Sequence, residues 1–359
     1  MPAMPQTSRS ERRRRSLALT CISCFFLSFV GHACGGETTP PPAPAATPRA
    51  PAQPAPAPPA APSPVAAEEP ATKQDPSLPP TRLPAAARIV AVGDLHGDLA
   101  ATKAALRLAG AIDADDRWSG GDLIVVQTGD QLDRGDDERA ILDLLDRLRA
   151  EATAAGGALH VLNGNHELMN VAGDLRYVTA AGFLEFEDLP GLDLTSPAAQ
   201  SVPSSTRARF VAFAPGGPYA RRLAQRNVIQ VIGDNVFVHG GVLPQHVRYG
   251  LERINREVAA WLRGEGPVPV EIALDDQSPV WTRAYSDAPG PDDCRLLQEA
   301  LAMIPAKRMI VGHTVHKEGI TSACDGAVWM VDVGMAAYYG GRPQVLELAQ
   351  GAPPTPRGP

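Results

Sequence analysis

The sequence predicts an α/β fold in which parallel strand pairs are covered by helices. Two patterns carry that expectation. Three times in succession an apolar, strand-like run breaks at a glycine, opens into a polar cluster and passes into a helix-like segment. Strands alternating with helices imply a sheet with parallel pairs. Each polar cluster also falls at the C-terminal end of its strand, the side of such sheets on which ligands bind.

The first strand ends at Val92 and opens into Gly93, Asp94, Leu95, His96, Gly97 and Asp98, followed by apolar residues at helical spacing from Leu99 to Leu108. The central strand, Leu123 to Gln127, runs into Thr128, Gly129 and Asp130, with Asp133, Arg134 and Gly135 just beyond. A helix over Asp136 to Ala152 follows, with Ile141, Leu144, Leu145 and Leu148 on one face. The third strand, Ala158 to Leu162, ends in Asn163, Gly164, Asn165, His166 and Glu167.

Two later strands end in the same way: Asn235 to Val238 at His239, Gly240 and Gly241, and Arg308 to Val311 at Gly312, His313 and Thr314. Two hairpins are expected in this half. One joins Val228–Ile232 to Val236–Val238 through Gly233, Asp234 and Asn235; the other joins Ile320–Ala323 to Val328–Val331 through Asp325 and Gly326. Asp94, His96, Asp130 and Asn165 form a mixed oxygen and nitrogen donor set, and His239 and His313 stand at the two further strand ends. Such a set suits manganese or iron, with zinc possible, better than a thiolate site does. Gly93, Gly129 and Gly164 sit where tight turns are needed to present these residues.

The rest of the chain is organised around that domain. Residues 1–34 read as an export signal: Arg12 to Arg15 form a basic start, and Ser16 to Val30 an apolar run too short for a comfortable membrane span. Cys34, followed by two glycines, resembles a bacterial lipoprotein attachment site. Residues 35–87 form a Pro/Ala-rich segment; 17 of the 36 prolines fall between 37 and 87. It has nothing to bury and is expected to be an extended tether, with a reach on the order of 100 Å at ~3.1 Å per residue. The domain itself spans 88–351, with 352–359 as a disordered tail. Residues 1–34 carry a net charge of +4, so the remainder carries −11 of the total −7. That balance argues against nucleic acid as a partner.

The polar clusters carry a resemblance. GDLHG (93–97), GDQLDRG (129–135), GNHE (164–167), HGG (239–241) and GHT (312–314) look like the five blocks of the calcineurin-like metallophosphoesterases. Within that family the chain resembles the phosphoprotein phosphatase group and, through Gly173–Tyr177 and Pro218–Arg221, the Shewanella-like protein phosphatases. The resemblance implies a β-sandwich of two mixed sheets flanked by helices, with a dinuclear metal site at strand ends. The pattern of strands and helices does not by itself distinguish that from one doubly wound sheet. A cap-like insert is expected at about 174–225.

The resemblance also implies roles. Asp94, His96 and His313 would hold one divalent metal, Asn165 and His239 the other, and Asp130 would bridge them. A metal-bridging hydroxide would attack phosphorus directly, with His166 protonating the leaving oxygen and Asp133 holding that imidazole. Arg134 would clamp the phosphate, and Arg283 is the candidate for a second clamp. The activity implied is hydrolysis of phosphoprotein monoesters, phosphotyrosine or phosphoserine/threonine. A Ser-Ala-Pro-Asn-Tyr segment, the toxin-sensitive loop of the eukaryotic serine/threonine enzymes, is missing, which leaves the preferred residue open.

Other readings stand beside these. A dinucleoside tetraphosphate hydrolase shares the blocks, although an exported protein would meet little of that substrate. A metal-binding scaffold would need no His166 and Asp133. His160, His246 and His316 read as core or surface histidines, and Asp332 as a residue supporting the site. Arg221, Arg222 and Arg226 read as a solvated basic face on a helix from Tyr219 to Arg226, and Arg176 and Arg209 are ambiguous. Cys294 and Cys324 are the only cysteines beyond Cys34 and, in an oxidising compartment, are expected to pair.

Overall fold

The computed structural model describes residues 78–359. The expected export signal, Cys34 and most of the expected tether, 35–77, lie outside the described residues. No helix among the described residues is long and apolar enough to cross a membrane.

Among the described residues, eleven strands form two mixed sheets. They are β1 (Arg82–Leu83), β2 (Arg88–Val92), β3 (Ile124–Gln127), β4 (Ala158–Val161), β5 (Ile229–Ile232), β6 (Asn235–Val238), β7 (Arg308–Val311), β8 (Thr321–Ala323), β9 (Val328–Met330), β10 (Val345–Ala349) and β11 (Thr355–Arg357). One sheet has the order β11-β10-β2-β3-β4 and the other β1-β5-β6-β7-β9-β8. Strands β2, β3 and β4 run parallel, as do β6, β7 and β9, and both expected hairpins, β5–β6 and β8–β9, are antiparallel. The architecture is thus the two-sheet sandwich rather than one doubly wound sheet.

Period-two alternation places the core. Ile89, Ala91 and Val126 face inward and meet Phe237, Ile310 and Val331 of the other sheet. Val90, Val92 and Val125 point outward, under helices α1 (Leu99–Leu108) and α2 (Glu138–Ala154), against Leu106, Ile141, Leu145 and Leu148. On the opposite flank Val236, Val238, Met309 and Val311 lie under a larger helical layer. Short α3 (Asn165–Val171) precedes the insert, which is helical: α4 (Ala180–Leu184), α5 (Pro197–Gln200), α6 (Ser204–Phe213) and α7 (Pro218–Leu223). Then come α8 (Pro244–Tyr249), α9 (Leu251–Leu262), α10 (Val270–Ala273) and α11 (Pro291–Met303). The insert has its own aromatic centre, in which the Phe186 ring lies 5.2 Å from Phe213 and 4.9 Å from Tyr219.

Two expectations on boundaries are corrected. Residues 352–359 contain β11, which pairs antiparallel with β10, and β1, before residue 88, pairs with β5. Neither strand exceeds three residues, too short to show alternation. Pro356 is tolerated in β11 because an edge strand leaves a missing N–H without consequence. The predicted pairing of Cys294 with Cys324 is present, with Cα atoms 5.2 Å apart. It ties α11 to the turn between β8 and β9.

Candidate metal centre and active site

Parallel strands from both sheets deliver the predicted residues to one place. Asp94 and His96 follow β2, Asp130 follows β3, Asn165 and His166 open α3 just after β4, His239 follows β6 and His313 follows β7. All seven are buried. Close approach of the loops depends on two glycines. A Cβ at Gly164 would strike the Asp130 carboxylate, and one at Gly129, where φ is 109°, would come within 2.7 Å of the Gly164 backbone.

The backbone here is strained. His96, Asp130, Asp133, Arg134 and His313 all have positive φ, between 44° and 68°, a region that costs side-chain-bearing residues about 1–3 kcal/mol each and survives only where the surroundings enforce it. Glu167 provides much of that enforcement. Its carboxylate accepts the N–H groups of Asp130 (2.8 Å), Gln131 (2.8 Å), Leu132 (3.2 Å) and Gly164 (2.7 Å). The glutamate of one block therefore builds the turn of another.

Asp130 is the centre of the cluster. Its Oδ2 lies 3.1 Å from His239 Nε2 and 3.8 Å from both His96 Nε2 and His166 Nε2. His239 Nε2 is also 2.8 Å from Asn165 Oδ1 and 3.2 Å from His313 Nδ1, while His96 Nε2 is 3.8 Å from Asp94 Oδ2. Two sets of donor atoms, His96–Asp130–His166 and Asp130–His239–His313, each lie within 4.8 Å of one another.

One expected grouping is corrected. His313, expected to join Asp94 and His96, turns its ring to His239 and Asp130. Its link to Asp94 runs through the backbone, the His313 N–H lying 3.2 Å from Asp94 Oδ2. Block order along the chain shows that a histidine is present, not which way its ring turns.

The donor set fits divalent cations. Three of the imidazoles turn one nitrogen onto a backbone oxygen and the other into the cluster: His96 Nδ1 on Leu132 O (3.0 Å), His239 Nδ1 on Thr128 O (3.1 Å) and His313 Nε2 on Trp281 O (3.0 Å). That is the arrangement that fixes a tautomer for metal ligation. Burial pushes His96 down to about 3 and His313 well below its usual range, so both rings are neutral with lone pairs available. Burial, with Asp332 and Asp130 nearby, pushes the Asp94 carboxyl well up. Asp332, buried beside it, is raised too, and its Oδ2 has no partner among the described residues. Buried carboxylates crowded together with an orphaned oxygen are what bound cations would neutralise.

His166 differs from the other three. Its Nδ1 lies 2.5 Å from Asp133 Oδ2, leaving Nε2 directed at the cluster. Burial alone would lower its pKa, but Asp130 and the hydrogen bond to Asp133 outweigh it and the pKa is raised. Arg134 extends beside the cluster, Nη1 3.0 Å from His96 Nε2. Its guanidinium is ringed by Tyr177, Tyr339 and Tyr338, at 4.9, 5.2 and 5.8 Å from the ring centroids. Arg283 stands at the rim, bonded to His313 O (2.7 Å) and Thr314 Oγ1 (2.8 Å).

Arg226, expected on a solvated face, is buried and bonds Gln131 Oε1 (2.7 Å) and Asp146 (3.1 Å); α7 ends at Leu223, which turns Arg226 inward. Arg209, left ambiguous, is also fully buried. No pattern in the sequence singles out the parts played here by Glu167, Asn170, Glu138 and the tyrosines around Arg134. Glu167 was visible within its block, while Tyr338 and Tyr339 lie beyond the last block and carry no spacing signal.

Fold and site together define a phosphoesterase, and the chain belongs to the calcineurin-like phosphoesterase family, whose profile matches residues 87–317. Among individual proteins it is 42% identical over 310 residues to Shewanella-like protein phosphatase 2 of Arabidopsis thaliana, covering 77% of this chain and 79% of that one. It is 26% identical over 260 residues to Shewanella-like protein phosphatase 1 of Plasmodium berghei, covering 70% and 68%. The fold matches the crystal structure of a cold-active protein-tyrosine phosphatase from a psychrophilic Shewanella species with a TM-score of 0.61 at 24% identity, covering 76% of this chain and 78% of that one.

Proposed function

We propose that this protein is a metal-dependent phosphomonoesterase acting on phosphorylated side chains of proteins. The observation that carries the reading is the His166–Asp133 pair, held 2.5 Å apart with Nε2 of the ring beside Asp130. A scaffold that only bound metal would have no use for a buried acid aimed at its ligands. The name of the Arabidopsis relative, a protein phosphatase, supports the substrate class.

Asp94, His96 and Asp130 would hold one cation, and Asp130, Asn165, His239 and His313 the other. Manganese or iron suits the donors, with zinc possible. When bound, such a pair supplies Lewis-acid activation of water and neutralisation of phosphoryl charge. The remaining work falls to the chain. Arg134 binds two phosphoryl oxygens through its planar fork, and the tyrosines around it hold that fork in place. Asp133 keeps the His166 Nδ1–H pointed at itself, so that Nε2–H is the proton presented to the leaving oxygen. As the phosphorus–oxygen bond breaks, that proton passes to the departing side-chain oxygen and the phosphate remains against Arg134. Arg283 extends positive charge along the rim where the rest of a peptide would lie.

Tyr177 and Tyr338, both partly exposed, make the approach to Arg134 aromatic, which favours an aryl phosphate over an alkyl one. We further propose that Cys34 is lipidated and tethers the domain; Cys34→Ser would then move it to the soluble fraction. The direct test of activity sets phosphotyrosine and phosphoserine peptides against a dinucleoside tetraphosphate, with manganese. Turnover of the peptides is expected; turnover of the dinucleotide alone would replace this reading with the hydrolase that shares its blocks.

A further inference from the structure

We propose that Arg209, carried into the site on α6 of the insert, is a positioning residue that fixes the Asp133 carboxylate and, through it, the His166 imidazole. Arg209 and Asp133 are both completely buried. Arg209 Nη2 donates to Asp133 Oδ1 at 3.3 Å, and Nε to Asn170 Oδ1 at 2.9 Å. Asn170 in turn donates Nδ2 to the same Asp133 Oδ1 at 3.0 Å and to His166 O at 2.9 Å. Arg209 Nη1 donates to Gly182 O at 3.0 Å and to Glu138 Oε2. The other Glu138 oxygen accepts the Asp133 N–H at 2.6 Å.

The consequence is geometric. Asp133 Oδ1 takes two donors, which leaves Oδ2 for His166 alone. Rotating the carboxylate would break all three contacts at once, so the imidazole has one orientation. A buried guanidinium is expensive unless its donors are used, and here Nε, Nη1 and Nη2 all have acceptors. Phe186 and Phe213, 5.0 and 5.1 Å from the guanidinium, exclude water from it. A plain ion pair joining α6 to α2 would need only Glu138. The contacts to Asp133 and Asn170 go beyond that.

The inference rests on His166 being the acid, and the test separates the two. Arg209→Met, Arg209→Lys and His166→Asn, and each Arg209 variant combined with His166→Asn, are assayed on aryl phosphates of graded leaving-group pKa. Metal content and thermal midpoint are measured alongside. Arg209→Met is expected to lower kcat by ~10–100-fold on poor leaving groups, with KM little changed and the deficit shrinking as the leaving group improves. Lysine, which keeps the charge but not the fork, should restore part of the loss. In the His166→Asn background the same change should cost no more than ~2-fold, because residues acting as one unit are not additive.

Equal losses on every leaving group, or full additivity with His166→Asn, would reduce Arg209 to a structural ion pair. If Arg209→Met does not fold, the lysine variant decides by the same slope. Should His166→Asn itself show no leaving-group dependence, the acid assignment fails and the role of Arg209 with it. If that dependence is present in His166→Asn but absent from both Arg209 variants, only the positioning role fails.

Discussion

His166 Nδ1 and Asp133 Oδ2 are 2.5 Å apart, and both side chains are buried beside a cluster of candidate metal-ligand residues. The pairing separates this histidine from His96, His239 and His313, whose second nitrogens rest on backbone oxygens. Replacing His166 with Asn should therefore lower kcat by ~10²–10⁴-fold, the usual size of a general-acid contribution. The deficit should shrink for aryl phosphates with acidic leaving groups. Metal content, measured by elemental analysis, should stay at the wild-type level.

Arg134 touches one candidate metal ligand, Nη1 lying 3.0 Å from His96 Nε2, and stands within a ring of tyrosines. Arg134→Ala should raise KM for phosphopeptides and the inhibition constant of inorganic phosphate together, by ~10–100-fold, the scale of a charge-assisted bidentate contact. Metal occupancy should be unchanged. Loss of the metals would make Arg134 part of the ligand scaffold instead.

His246 gives stability a pH dependence away from the site. It is buried in α8, where Nδ1 accepts the Leu243 N–H at 3.0 Å, and burial pushes its pKa down to about 4 from 6.5. Between those values the unfolded chain binds the proton more readily than the folded one. The stabilisation is therefore complete above pH 6.5 and lost progressively as pH falls toward 4, by on the order of 3 kcal/mol in all. Urea unfolding at pH 7 and pH 5 should show the decline, and His246→Gln should flatten its share of it. An unchanged slope in that variant would locate the dependence elsewhere.

The sheets and the site differ in how far the sequence revealed them. Val90, Val92, Val125 and Val236 alternate with inward residues, and the polar cluster after each of their strands contains a glycine, so these strands and their polar ends were readable from local pattern. The sandwich was not: Ile89 meets Phe237 of the other sheet across a sequence separation that no periodicity records. Likewise the blocks announced Asp94, Asp130 and His239, but the direction of the His313 ring depends on the Trp281 carbonyl, which comes from another loop. Arg209 was least visible of all. An arginine on an insert helix looks solvated until tertiary packing places Phe186, Phe213 and Asp133 around it.

On the proposed mechanism, phosphomonoester hydrolysis requires two divalent cations, held by Asp94, His96, Asp130, Asn165, His239 and His313. Protein stripped by chelation and titrated with manganese tests it most directly, with bound metal counted by elemental analysis and phosphate release from a phosphopeptide followed at each step. Activity should be absent from the stripped protein and reach its plateau as occupancy approaches two per chain. Full turnover by protein verified to be metal-free would rule that requirement out.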